Sequence, residues 1–157
     1  MKIIAMVLGL VAGMLPVLVS AEPIRHPGDA KSPILSAVTV PAGSTLVFLS
    51  GQVASPINPS QPNEYGDTKT QAVNIFQTIE KLLADRGMQM KDVIKLTVFL
   101  VGDPKLGGKM DFKGFSEAYA QFFSTAKQPN KVARSTVQVE ALVYPPFLVE
   151  IEAVAAK

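Results

Sequence analysis

Apolar residues recur at intervals of three and four positions in two stretches of the chain, residues 68–86 and 112–123. This spacing places them along one face of an α-helix. Asp67 or Thr68 is suited to cap the first helix, and Asp111 is suited to cap the second. Because each apolar face is one-sided, we expect both helices to cover a sheet. The apolar positions are Ala72, Ile75, Phe76, Ile79, Leu82 and Leu83, then Phe112, Phe115, Tyr119, Phe122 and Phe123.

Short β-prone runs make up the rest of the predicted domain. Residues 36–40 and 45–49 are separated by a turn that contains Pro and Gly, which predicts an early hairpin. Residues 93–101 form a strongly β-prone run between the two helices. Residues 133–141 and 148–155 alternate in polarity and are joined by a short connection, which predicts an antiparallel pair. The order β-β-α-β-α-β-β predicts an α+β fold, a single domain with both helices on one face of a sheet.

The alternation in the last two strands groups charged and hydroxyl side chains. Arg134 and Thr136 share one side of the first strand, and Glu150 and Glu152 share one side of the second. If the strands pair, all four should lie on the sheet face that the helices leave open. On a solvated face they are ordinary surface groups, whereas against another subunit they form a recognition site. There a guanidinium suits bidentate binding of a carboxylate, and a Glu can orient or deprotonate water.

The first residues have the composition of an export signal. Residues 1–21 combine a basic Lys2, a long apolar run and small residues at the end, which is the layout of a cleavable signal peptide. A membrane anchor is the alternative, but Pro16 and the small residues favour cleavage. Export predicts a periplasmic or secreted protein. Residues 22–33 are polar and rich in Pro and Gly, which predicts a flexible leader before an ordered domain over residues 34–157.

The composition excludes several classes of function. The chain has no Cys, so we expect no disulfide scaffold, zinc finger or cysteine nucleophile. It has a single His, His26, which argues against Ser-His-Asp catalysis. Lys and Arg are scattered and the net charge is +2, which argues against a nucleic-acid partner. No nucleotide-binding loop or metal-ligand spacing is present. Ser50-Gly51-Gln52, at the end of a strand, either presents a hydroxyl and backbone N–H groups to a ligand or forms a glycine bulge.

Several segments, taken in their order along the chain, resemble one known family. They are Ser50-Gly51-Gln52 after an apolar strand, the helix QAVNIFQTIEKLLADRG, the strand IKLTVFL, and the runs ARSTVQVEAL and VEIEAVAA. From about Pro33 to Ala156 the chain is similar to the Rid (YjgF/YER057c/UK114) family. The resemblance implies a chorismate-mutase-like α+β fold with a mixed sheet, and a homotrimer with ligand clefts between subunits. Such an assembly would bury the charged sheet face.

The resemblance also implies an activity. Family members with an arginine at this position hydrolyse reactive 2-imino and 2-enamino acids to 2-oxo acids and ammonia, without a cofactor or metal. By this resemblance Arg134 binds the carboxylate of a small substrate, and Glu150 positions the attacking water. The alternative is a non-catalytic trimer that binds small carboxylates or keeps other exported proteins soluble. In neither case is nucleic acid, or a membrane after signal cleavage, an expected partner.

Further pocket positions follow from the same resemblance. Ser50 would line the pocket, Thr136 stands where the family often has Cys, and Ser116 stands where it has Asn. Ile34 occupies the position of a pocket tyrosine, so Tyr65 or another residue would have to replace that tyrosine.

Overall fold

Both predicted helices are present in the computed structural model, which describes residues 22–157. Helix α1 spans Thr68–Ala84 and helix α2 spans Phe112–Phe122. The Asp67 side chain accepts a hydrogen bond from the Thr70 N–H at 2.8 Å, which confirms the predicted cap of α1. The Asp111 side chain caps α2 in the same way. It accepts from the Gly114 N–H at 2.8 Å.

A seven-stranded mixed sheet packs against these helices, which confirms the predicted α+β class. The strand order is β1-β2-β6-β4-β7-β3, and β5 pairs with the end of β4. Strand β4 is the longest and lies between β6, to which it is parallel, and β7, to which it is antiparallel. The strands are β1 Ile24–Pro27, β2 Leu35–Thr39, β3 Leu46–Val53, β4 Val93–Asp103, β5 Lys109–Met110, β6 Ala133–Val139 and β7 Val149–Ala156.

The predicted early hairpin is wrong. Strands β2 and β3 exist at nearly the predicted positions, but three strands of the sheet lie between them. Strand β2 pairs antiparallel with β1 and parallel with β6, whereas β3 pairs antiparallel with β7. The turn composition at residues 41–44 indicates that the chain changes direction there. It does not indicate which strands β2 and β3 pair with.

The predicted pairing of the last two strands is also wrong, because β4 lies between β6 and β7. Arg134 is in register with Leu96, which is buried beneath the helices. Glu150 is in register with Phe99, on the opposite face of β4. Since Thr136 follows Arg134 by two and Glu152 follows Glu150 by two, the four residues do not share a face. Arg134 and Thr136 lie on the helix side of the sheet, and Glu150 and Glu152 lie on its open face.

Ordered structure begins earlier than predicted. Strand β1 falls within residues 22–33, which the sequence assigns to a flexible leader. Its Arg25 guanidinium, half-buried, donates to the carbonyl oxygens of Lys91 at 2.7 Å, Lys131 at 3.0 Å and Val93 at 3.1 Å. These long-range bonds and the pairing with β2 stabilise a segment whose Pro and Gly content indicates a loop. The predicted signal peptide, residues 1–21, lies outside the described residues.

The core lies between α1, α2 and the helix side of the sheet. Phe76 of α1 is fully buried, and its ring centroid lies 5.0 Å from that of Phe122 and 5.7 Å from that of Phe123. Leu96, at the centre of β4, is equally buried on the sheet side. Within residues 22–157 no helix has the length and apolar character needed to cross a membrane.

Candidate functional site

The Arg134 guanidinium is packed against aromatic rings of α2. Its central carbon lies 4.5 Å from the ring centroid of Tyr119, 5.0 Å from that of Phe115 and 5.9 Å from that of Phe112. Stacking on aromatic faces stabilises the cation, but it leaves the N–H groups without acceptors. One terminal nitrogen of Arg134 is buried and has no hydrogen-bond partner among the residues that the structure describes. Burial lowers the pKa of Arg134, and the nearby Tyr119 opposes this effect.

A cavity of about 210 Å³ opens beside Arg134. It lies between the segment before β2, helix α2 and the start of β6. We call it the Arg134 cavity, and define it by six of its lining residues: Lys31, Ser116, Tyr119, Ser124, Lys131 and Arg134. A buried donor without a partner costs about 1–3 kcal/mol, and more when it is charged. Because Arg134 lines the cavity and forms no ion pair with a carboxylate among residues 22–157, the arrangement is suited to carboxylate binding.

Two of the residues that the resemblance assigns to the pocket lie near Arg134. Thr136 follows it on the same side of β6, and the Thr136 hydroxyl is buried with no hydrogen-bond partner in the described part of the chain. Ser116 lines the Arg134 cavity, and its hydroxyl donates to the Phe112 carbonyl oxygen of the preceding helical turn at 2.7 Å. Arg134 and Ser116 therefore share one cavity, whereas Thr136 lies on the same side of the sheet but outside the cavity lining.

Glu150 and Ser50 lie on the open face of the same sheet. Strand β3 has an irregular register between Leu49 and Gln52, where Ser50 and Gly51 form the glycine bulge that was one of the two interpretations of this motif. A Cβ atom at Gly51 would overlap the Glu150 carboxylate, so the bare glycine backbone leaves the space that this side chain occupies. Ser50 lines a shallow hollow with Lys95 and Glu152.

Tyr119 is a site residue that the sequence analysis missed. Its apolar spacing assigned it to the core, and it is buried, yet its ring supports the Arg134 guanidinium. The Tyr119 hydroxyl donates to the Pro33 carbonyl oxygen at 3.1 Å. Burial raises the pKa of Tyr119, and the charge of Arg134 opposes that rise. Tyr65 does not line the Arg134 cavity. Its ring instead packs against Phe147 at 5.1 Å and Tyr144 at 6.2 Å.

Lys31 and Lys131 were also missed, because both lie outside the periodic segments from which the elements were predicted. No local pattern indicates that these two loop residues reach the same cavity. Among residues 22–157, no group of three His, Asp or Glu side chains is placed to hold a metal ion.

Comparison with known proteins supports the resemblance. A model of the Endoribonuclease L-PSP family matches residues 29–157. Protein DfrA of Myxococcus xanthus is 36% identical over 127 residues, covering 80% of this chain and 86% of DfrA. TdcF of Escherichia coli, whose name refers to a reactive-intermediate deaminase, is 32% identical over 136 residues, covering 87% of this chain and 95% of TdcF.

Solved structures agree with the fold. The crystal structure of Escherichia coli TdcF with bound serine has a TM-score of 0.58 at 33% identity, covering 85% of this chain and 94% of TdcF. The Rid family protein YyfB of Yersinia pestis has a TM-score of 0.68 at 22% identity, covering 87% of this chain and all of YyfB, and it supports the fold alone.

Proposed function

The chain belongs to the Rid (YjgF/YER057c/UK114) family, which the Endoribonuclease L-PSP model describes, and from this premise we propose that it hydrolyses 2-imino and 2-enamino acids to 2-oxo acids and ammonia. One observation carries the proposal. Among residues 22–157, Arg134 has a buried guanidinium nitrogen without a hydrogen-bond partner, and it lines a cavity to which those residues contribute no carboxylate. A substrate carboxylate is the ligand that this geometry fits best.

The chemistry needs little from the protein. An imine carbon is already electrophilic, so the protein has to hold the anion, place a water molecule and move protons. The water oxygen bonds to the imine carbon while Glu150 accepts a proton from it. The electron pair of the C=N bond moves onto nitrogen, which receives one proton back from Glu150 and one from the new hydroxyl group. The C–N bond then breaks as the C=O bond forms, and ammonia leaves a 2-oxo acid. Arg134 holds the adjacent carboxylate throughout, and no cofactor takes part.

Two copies of the chain are required in this proposal, because Arg134 and Glu150 lie on opposite faces of one sheet. We therefore propose a homotrimer with clefts between subunits, in which the open face of one protomer lies against the cavity side of its neighbour. Exposed apolar residues on the open face support this assembly, since Phe48 is 72% exposed and Val137 is 45% exposed. The variant Phe48→Glu should sediment as a monomer and lose activity, and a trimer of unchanged stability would contradict this assembly.

Arg134→Ala is the direct test of the activity. The imine of 2-aminobutyrate is generated by an amino acid oxidase, and 2-oxobutanoate formation is followed with and without the purified protein. Loss of a buried charged contact should lower kcat/KM by at least about 30-fold. Arg86→Ala is the matched control, because Arg86 is exposed just after α1 and its guanidinium donates to the Leu82 carbonyl oxygen. Equal rates for both variants would contradict the proposal.

A second candidate function is binding without turnover, in a trimer that holds small carboxylates or keeps other proteins soluble. It is favoured by Ile34, which replaces the family's pocket tyrosine. Titration calorimetry with 2-oxobutanoate, together with an aggregation assay, tests this function. Hydrolysis of an imino acid at a rate well above the spontaneous reaction would exclude it.

Export is part of the same proposal. The composition of residues 1–21 supports cleavage after Ala21 and a periplasmic or secreted protein. Mass spectrometry of the protein from the periplasm or medium should find Glu22 at its N-terminus, and an intact chain in the cytoplasmic fraction would contradict export.

A further inference from the structure

The Arg134 cavity holds more positive charge than one carboxylate requires. Lys31 and Lys131 line it together with Arg134, and no Asp or Glu within residues 22–157 does. Within residues 22–157 the one ion pair joins Lys69 to Glu117, so none of the three cavity cations has a carboxylate partner within 4.0 Å. Three like charges around one cavity repel one another until an anion binds between them.

The two lysines are tied to the same short segment before β2. The Lys131 ammonium donates to the Ser32 carbonyl oxygen at 2.6 Å, which holds it at the cavity wall and leaves further N–H donors free. The Lys31 backbone N–H donates to the Asp29 side chain at 2.8 Å, so the nearest carboxylate in the sequence is bound to the backbone. The Lys131 ammonium is thus held at the cavity wall, and the exposed Lys31 side chain lines the same cavity and forms no ion pair with a carboxylate among residues 22–157.

These charges lead to an inference about the substrate, which rests on the proposed function. We infer that the cavity selects 2-imino dicarboxylates, with the carboxylate next to the imine on Arg134 and the second carboxylate on Lys131 and Lys31. A monocarboxylate neutralises only one of the three cations, whereas a dicarboxylate supplies an acceptor to the lysines as well. The second carboxylate is unchanged in the reaction. Water adds to the imine carbon, ammonia leaves, and the product is a 2-oxo dicarboxylate.

The test compares two imino acids on the same protein. 2-Iminoglutarate and 2-iminobutanoate are generated by an amino acid oxidase, and kcat/KM is measured for each. We expect the dicarboxylate to be preferred at least about tenfold, the scale of one charged hydrogen bond. Lys131→Gln should remove most of this preference by lowering kcat/KM for 2-iminoglutarate alone, and Lys131→Arg should retain it. Lys127→Gln is the control, because it removes the same charge from the same connection but does not line the cavity.

Two outcomes overturn the inference while leaving the proposed function intact: a wild-type preference for 2-iminobutanoate, or an equal loss for both substrates in Lys131→Gln. If neither imine is hydrolysed, the proposed function fails. Calorimetry with 2-oxoglutarate and 2-oxobutanoate then tests whether the cavity binds a second carboxylate. Tighter binding of 2-oxoglutarate that depends on Lys131 supports the lysine site. Equal binding of the two acids, or tighter binding that Lys131→Gln does not weaken, excludes it.

Discussion

Tyr119 lies directly against Arg134, with its ring centroid 4.5 Å from the guanidinium carbon, while its hydroxyl donates to the Pro33 carbonyl oxygen at 3.1 Å. The ring and the hydroxyl have separate roles. The ring supports the cation, and the hydroxyl joins α2 to the segment that closes the Arg134 cavity.

Substitutions at Tyr119 should separate these roles. Tyr119→Leu removes the aromatic face, so we expect KM for imino acids to rise about 2- to 30-fold, the range that a cation–π contact of about 0.5–2 kcal/mol provides. Tyr119→Phe retains the ring and should keep KM within about twofold, while the lost hydrogen bond lowers the free energy of unfolding by about 1 kcal/mol. Steady-state kinetics and urea unfolding check both values. An equal KM in the two variants would exclude a role for the ring.

Gly51→Ala should displace the Glu150 carboxylate, because the added Cβ would overlap it. Since Glu150 positions water in the proposed reaction, we expect kcat to fall at least about tenfold. KM should change little, because Arg134 still binds the substrate. Gly28→Ala is the matched control, since a Cβ there meets its nearest neighbour, Ser36, at an ordinary 3.7 Å. A variant with normal kcat and an intact trimer would exclude Glu150 from the reaction.

Arg25→Gln tests the attachment of β1. The substitution removes bonds from the guanidinium to three carbonyl groups, and we expect the free energy of unfolding to fall by about 2 kcal/mol. Amide hydrogen exchange should accelerate in Ile24–Pro27 more than in the central strand. Arg86→Gln, which loses one exposed bond to Leu82, should change stability by no more than about 0.5 kcal/mol. Equal effects of the two variants would show that Arg25 does not anchor the strand.

The Asp67 cap predicts a pH dependence. The hydrogen bonds from Thr70, first from its backbone N–H, lower the pKa of Asp67. A lowered pKa means that the stabilisation is complete above about pH 3.9, the ordinary value, and is lost as the pH falls through the folded value. Asp67→Ala should therefore cost about 1 kcal/mol at pH 7, and its difference from the wild type should shrink below about pH 4.

Asp67→Asn is the control, because Asn caps a helix without titrating. Its advantage over Asp67→Ala should persist at low pH, as measured by urea unfolding. A wild-type advantage that stays constant from pH 7 to pH 3 would contradict the role of the carboxylate.

The sequence predicts this fold in its local features and fails in its long-range ones. The helices and their caps at Asp67 and Asp111 are correct, because helical periodicity and capping depend on residues a few positions apart. The order of strands in a sheet depends on residues that are far apart in the sequence. The position of β4 between β6 and β7 therefore corresponds to no local sequence pattern. The same reason explains β1, whose anchor Arg25 contacts backbone near Lys91 and Lys131.

The candidate site was predictable only in part. Arg134 and Glu150 were predicted as site residues from a resemblance. Such a resemblance matches positions along the sequence, and it does not say on which face of the sheet each side chain lies. Tyr119 has the same apolar spacing whether it only fills the core or also supports a guanidinium, so periodicity could not distinguish these roles. Lys131 precedes β6 on a connection without periodicity, and only its hydrogen bond to Ser32 reveals that it reaches the cavity.

In the proposed trimer, the opposite orientation of Arg134 and Glu150 would make the reaction a shared property of neighbouring chains. In that trimer each protomer would contribute its Arg134 to one subunit interface and its Glu150 to another. Co-expression of an Arg134→Ala chain with a Glu150→Gln chain should therefore restore intact interfaces, even though each variant alone is inactive. Dominance and complementation between alleles would then follow from the geometry of a single sheet.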